Sequence, residues 1–212
     1  MHLLNHQLFL WIGAGHSPNA ALLWLAMQVV EVMPWIAAGA VVVAVWLRPT
    51  DRHYILAACL MAALASMLAR ELADVLKQPR PFMIGLSPMW IEHSARGSMP
   101  STHASVMFTV ALCFLYRPRL RAIGWILAGL ALLTGWARVY VGVHFPLDVA
   151  VGALLGSVLA AAPALASRWR QHIQPTRPSP PPEARPAEAL LDHQFDAPVR
   201  GPTPPALVRY QG

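Results

Sequence analysis

Three short polar clusters interrupt an otherwise apolar chain, and each carries residues suited to an anion. The first is Lys77-Gln78-Pro79-Arg80-Pro81-Phe82. Prolines on both sides of the arginine end a helix and stiffen the backbone. A guanidinium fork matches the paired oxygens of a phosphate. A snorkelling arginine at a helix end is the alternative reading. The second cluster, Ser98-Met99-Pro100-Ser101-Thr102-His103, directly precedes an apolar run. Ser or Thr there signals a helix start, whose free N–H groups and dipole favour an anion. An ordinary cap beside a bystander histidine would have the same sequence. In the third, five residues separate Arg138 from His144 and three separate His144 from Asp148. Pro146 suits the first helical position, so Asp148 can reach back to His144 from the first turn. A carboxylate on one imidazole nitrogen fixes the tautomer and leaves the other free to attack. A purely structural His–Asp contact remains open.

A metal site is the competing use of His103, His144, Asp148, Glu92 and His93. The arginines Arg80, Arg96 and Arg138 around the same point argue against a cation, and no His-x-x-x-His pair or carboxylate-rich motif occurs. No Gly-rich nucleotide loop appears either. Neither a metal nor another cofactor is expected.

The elements that must position these clusters follow from hydropathy. Of 212 residues, 56% are hydrophobic and 12% charged, against about 25% charged in soluble domains. An all-α integral membrane bundle is expected. It has an interfacial helix over 2–12 and about five spans near 20–47, 54–76, 100–116, 122–140 and 147–166. Residues 1–169 form the membrane domain, and the proline-rich 170–212 reads as a disordered tail. No cleavable signal peptide is expected. Cys59 and Cys113 lie in apolar runs and read as small buried hydrophobes rather than a disulfide. Glu31, inside the first span, is expected to face the bundle. Arg70 and Asp74, four apart on one helix, are expected to pair.

The net charge of +6 does not form a basic stripe interleaved with aromatics, so nucleic acid is not an expected partner. The basic segments 48–53, 117–121 and 168–170 alternate with the spans and mark one side as cytoplasmic. Lys77, Arg80, Arg96 and Arg138 then fall on the outer side, where topology does not account for positive charge. Anion binding does.

Arg-Pro, then Pro-Ser-x-His, then Arg-x5-His-x3-Asp resembles the three-part signature of the type-2 phosphatidate phosphatase superfamily. The signature covers 80–148 and the span layout extends the likeness to about 1–167. RPFMIGL, IEH and SMPSTH are similar to the bacterial undecaprenyl-diphosphatase branch linked to bacitracin resistance. The resemblance implies His144 as a nucleophile forming a phosphohistidine, Asp148 as its orienting partner and His103 as the general acid. It implies Arg80, Arg138, Ser101 and the Thr102 N–H as phosphate ligands, without a metal. The family lysine falls on Ala73 here, and Lys77, one turn later, is the candidate for its charge. Ala137 replaces a usual serine, and Thr102 a commoner Gly or Asp. Glu92, His93 and Arg96, in the outer loop between the first two clusters, are expected to gate the site or to touch the distal phosphate.

The expected function is hydrolysis of undecaprenyl diphosphate at the outer face of a bacterial plasma membrane. The expected partners are the polyprenyl diphosphate and membrane lipids, and nothing in the sequence indicates an oligomer. The alternatives are action on phosphatidate, phosphatidylglycerol phosphate or lipid A, a non-catalytic lipid-phosphate binder, and a haloperoxidase, which the spans disfavour.

Overall fold

The computed structural model describes residues 2–173, which form six helices joined by turns and one long loop. These are α1 (His2–Ile12), α2 (Ala20–Leu47), α3 (Arg52–Leu76), α4 (Thr102–Tyr116), α5 (Arg121–Tyr140) and α6 (Pro146–Ile173). The expected tail lies, from residue 174 onward, outside the described residues. α6 continues past the expected end near 166 to Ile173, the last described residue.

α2, α3, α5 and α6 are each long and apolar enough to cross a membrane. Their outward faces carry Trp24, Trp35, Trp46, Leu56, Leu60, Trp125 and Leu154, all exposed. The third expected span does not reach that length. α4 has 15 residues, about 22 Å at 1.5 Å per residue, against a hydrocarbon core of about 30 Å. It is the central helix, packed against α3, α5 and α6. Its surroundings are mostly protein, so it need not match the lipid thickness. It starts at Thr102 rather than Pro100, because Pro100 and Ser101 form the turn that enters it.

The α4–α6 contact depends on two glycines one turn apart. A Cβ at Gly152 would stand 2.8 Å from the Ser101 carbonyl oxygen, and one at Gly156 2.8 Å from that of Ser105. This small-x-x-x-small spacing lets two membrane helices approach closely. Buried Ser105 and Thr109 on α4 donate to the carbonyls four residues back, Ser101 at 3.0 Å and Ser105 at 2.7 Å, so the helix stays satisfied inside the bundle.

The two short basic loops meet at one end. The Arg117 guanidinium donates through Nε and Nη2 to Asp51 Oδ1, both at 2.8 Å, and lies over the Tyr54 ring. The Tyr54 hydroxyl donates to the Cys113 carbonyl at 2.7 Å. At the other end α1 packs through Phe9, which meets Phe145 edge-on, and the Asn5 side chain accepts from the Leu147 N–H at 3.1 Å.

Three expectations are corrected. Glu31 lies on the exposed face of α2 rather than in the bundle, because the inward positions of that helix are taken by Ala26, Val29, Ala37 and Ala44. Asp74 pairs with Arg96 of the long loop at 3.8 Å rather than with Arg70, because that loop folds back over the end of α3. Cys113 is buried, but Cys59 is exposed on the wall of a cavity, and both thiols are free.

Replacing Gly156 by Leu should force α4 and α6 apart. Thermal unfolding in detergent should show a loss of about 1–3 kcal/mol, the usual cost of overpacking, with a smaller loss for Gly156→Ala.

Candidate active site

Arg80 leaves the end of α3 on the Pro79–Pro81 segment and turns inward, 5% exposed. Three backbone carbonyls hold its guanidinium: Nε donates to Arg96 at 3.0 Å, Nη2 to Gly97 at 3.0 Å and Nη1 to Val143 at 2.8 Å. The 77–101 loop and the 141–145 turn are therefore fastened to each other through one side chain. The same Nη1 also donates to His144 Nε2 at 3.4 Å.

His144 stands in the turn between α5 and α6. Gly142, at φ 80, makes the reversal in the left-handed region that side chains avoid. Arg138, on the last turn of α5 and 3% exposed, donates through Nη2 to His144 Nε2 at 3.2 Å and to His93 Nε2 at 2.8 Å. Guanidinium N–H groups only donate. The Nε2 lone pairs of both imidazoles are therefore the acceptors, and each ring carries its proton on Nδ1. For His93 that proton points to the Ser94 carbonyl at 3.3 Å. For His144 it faces Asp148 Oδ2 at 3.5 Å, longer than a well-made hydrogen bond. Oδ2 also accepts the Phe145 N–H at 2.7 Å, as an acid in a first helical turn caps its own helix. Asp148 thus caps the start of α6 and stands beside His144 Nδ1 with the same oxygen.

Burial and then the charges of Arg138 and Arg80 hold the His144 pKa well below its usual 6.5. His93 is pushed down to about 4, first by burial and then by the same two guanidiniums. Both rings are neutral at pH 7.

The third wall is the start of α4. Ser101 is the cap residue, but its hydroxyl makes no cap bond and has no partner among the described residues, though buried. Its N–H donates to the Asp148 carbonyl at 3.0 Å, which joins α4 to α6 at the site. The first intrahelical bond runs from the Ser105 N–H to the Ser101 carbonyl. The N–H groups of Thr102, His103 and Ala104 precede it and lack intrahelical partners. Thr102 and His103 line a polar cavity of about 440 Å³ together with Arg80, Arg138, His144 and His93.

Lys77 and Glu92 are not brought to this cavity. Lys77 is exposed at the end of α3 in a left-handed conformation, φ 48, where a cation complements the helix dipole. Glu92 points outward from the loop. Arg96 lines the outer rim, paired with Asp74. Ala73, at the expected lysine position, also lines the cavity, and so does Arg70.

Neither Arg80 nor Arg138 forms an ion pair with a carboxylate among the described residues. Burying a cation without a counter-charge costs several kcal/mol, and an anion in the cavity would offset that cost. Among the described residues no three His, Cys, Asp or Glu side chains gather closely enough to hold a metal.

The sequence pattern of the PAP2 superfamily matches residues 54–172, the stretch that carries all three clusters. The chain belongs to the PAP2 superfamily. PAP2 proteins act on lipid phosphates, and this one is a multi-pass membrane protein. YbjG of Escherichia coli (strain K12) is 32% identical over 161 residues, 73% of this chain and 78% of its own. The undecaprenyl-diphosphatase BcrC of Bacillus subtilis (strain 168) is 30% identical over 160 residues, 74% and 79% of the two chains. Among solved structures, LpxE of Aquifex aeolicus superposes with a TM-score of 0.61 at 25% identity, covering 77% of this chain and 95% of that one.

Sequence reasoning missed three parts of the site. The carbonyls of Arg96, Gly97 and Val143 that hold Arg80 carry no residue-type signal. His93 was placed in a loop but not against Arg138. Arg70 was visible as a charge in an apolar helix, but the i, i+4 rule assigned it to Asp74.

Nitrogen-labelled histidine NMR should report His144 as the neutral Nδ1–H tautomer at pH 7, titrating below 6.5. A ring that protonates at or above 6.5 would contradict the donor arrangement.

Proposed function

We propose that this chain hydrolyses undecaprenyl diphosphate to undecaprenyl phosphate and inorganic phosphate, at the outer face of a bacterial plasma membrane. The observation that carries the reading is the pair of buried, carboxylate-free guanidiniums converging on one imidazole nitrogen. The relatedness to BcrC supports the diphosphate as substrate. The separation of the site from the basic loops supports the outer face.

The terminal phosphate lies between Arg80, Arg138 and the N–H groups that open α4. Phosphoryl transfer needs mainly position and positive charge around the equatorial oxygens. His144 Nε2 attacks phosphorus, and the bond to the bridging oxygen breaks. His103 gives that oxygen a proton, and Asp148 supports the charge that His144 acquires. His103 then takes a proton from water, whose oxygen attacks the phosphohistidine and releases inorganic phosphate. The Ser101 hydroxyl and the Thr102 N–H complete the cradle. His93 holds Arg138 in place, Arg96 borders the entrance, and Lys77 and Glu92 have no part in this scheme. An apolar cavity of about 450 Å³ between α2, α3 and α4 borders Thr102 and His103 and takes the start of the lipid chain.

Purified protein should release phosphate from undecaprenyl diphosphate, and His144→Ala should lower turnover about 10³-fold or more. A wild-type protein that releases none would sink the reading. A lipid-phosphate binder would retain its affinity and show no turnover in either form.

Arg80→Lys should cost about 10²-fold in kcat, since an ammonium cannot engage three carbonyls and a phosphate together. Protonation removes the nucleophile, so activity is lost as pH falls. With the His144 pKa held down by burial and the arginines, the acid limb of kcat/KM should lie below pH 6.5.

A further inference from the structure

Two cavities meet at one side chain that the scheme above leaves unused. The polar cavity around His144 and the apolar cavity between α2 and α3 share three lining residues: Arg70, Thr102 and His103. Arg70 follows the apolar stretch 62–69 of α3, two turns before the helix ends. No hydrogen bond or ion pair engages its guanidinium among the described residues, and Asp74, its neighbour one turn on, is taken by Arg96. A charge on a membrane helix is costly and usually marks function.

We propose that Arg70 binds the lipid-proximal phosphate of a diphosphate substrate, the one that leaves with the lipid. This rests on the reading of the chain as a diphosphatase.

The order of groups along the cavity leads there. The phosphorus under attack lies at His144 Nε2, between Arg80 and Arg138. An in-line displacement puts the leaving oxygen on the far side from Nε2, and the scheme above gives its proton to His103, which lines the same cavity. His103 borders both cavities, so the leaving group crosses from the polar cavity to the apolar one beside it. In a monophosphate lipid the next atom is carbon. In a diphosphate it is a second phosphorus with ionised oxygens, and the chain follows only after that. This second phosphate falls at the seam, where Arg70 supplies the cation.

Such a group adds to the proton that His103 supplies. As the Nε2–P bond forms, the electron pair of the broken P–O bond passes to the bridging oxygen, and charge grows on the departing lipid phosphate. A guanidinium stabilises that charge without transferring a proton. α3 is also built for it. Ala73 lies where the resemblance places a lysine, and Arg70 is one turn earlier, on the same helical face. The positive charge on this face therefore stands one turn nearer the apolar cavity than the resemblance implies.

The test compares a polyprenyl diphosphate with the monophosphate of the same chain length, using the full-length protein in detergent. Arg70→Gln should lower kcat/KM on the diphosphate about 10²-fold, and at least tenfold less on the monophosphate. Arg70→Lys should recover most of the difference. Inorganic pyrophosphate should inhibit the wild type more strongly than inorganic phosphate, and Arg70→Gln should erase that preference. The inhibition decides the matter if the monophosphate is not turned over.

Equal losses on both substrates, or an unchanged preference for pyrophosphate, would overturn the proposal. Arg70 is exposed, and Arg70→Met provides a second neutral variant should Arg70→Gln unfold. A wild type that cleaves the monophosphate but not the diphosphate removes the substrate reading, and Arg70's role with it. A wild type that cleaves the diphosphate while Arg70→Gln keeps its selectivity removes Arg70's role alone.

Discussion

Two buried guanidiniums share one imidazole nitrogen, and among the described residues no carboxylate forms an ion pair with either. Like charges brought together out of water repel, and each loses its hydration. The arrangement persists because the surrounding backbone replaces that water. Arg80 is fixed by carbonyls from two loops, and Arg138 is shared between two neutral rings. Both rings can accept because their pKa values are held down by burial and by the same arginines. The positive charge of the cavity and the neutrality of the His144 ring therefore have one cause.

The rest of the bundle serves this cluster. The glycines of α6 bring α4 close, so that the Ser101 N–H reaches the Asp148 carbonyl. That bond sets the start of α4 beside the start of α6, and the first residues of α4 line the cavity. Asp148 joins the two halves of the design. It caps its own helix through the Phe145 N–H and faces His144 Nδ1 with the same oxygen. At the opposite end the Asp51–Arg117 contact ties the short loops together, so the bundle is closed away from the site.

Much of this was legible in the chain. Helix positions followed from hydropathy because apolar runs bounded by proline, glycine and arginine have few other solutions in a membrane. That the histidines and arginines of the three clusters gather at one cavity was legible because their types and spacing suit a common anion. Errors gathered where a local rule met a tertiary competitor. Spacing alone paired Arg70 with Asp74, but a loop twenty residues later delivers Arg96 to that carboxylate. Helix phase could not say that Lys77 would fall just beyond the last turn of α3 and face outward.

The sequence by itself determined the helical membrane bundle, the chemical types at the site and membership of the PAP2 superfamily. Each of these depends on residue identity and short-range order. Tertiary structure alone decided which carbonyls hold Arg80, that His93 steadies Arg138, and that α4 is a short central helix. It also decided that a polar and an apolar cavity meet beside Arg70. Those outcomes depend on backbone groups and on distances between segments far apart in the chain, and residue type does not encode them.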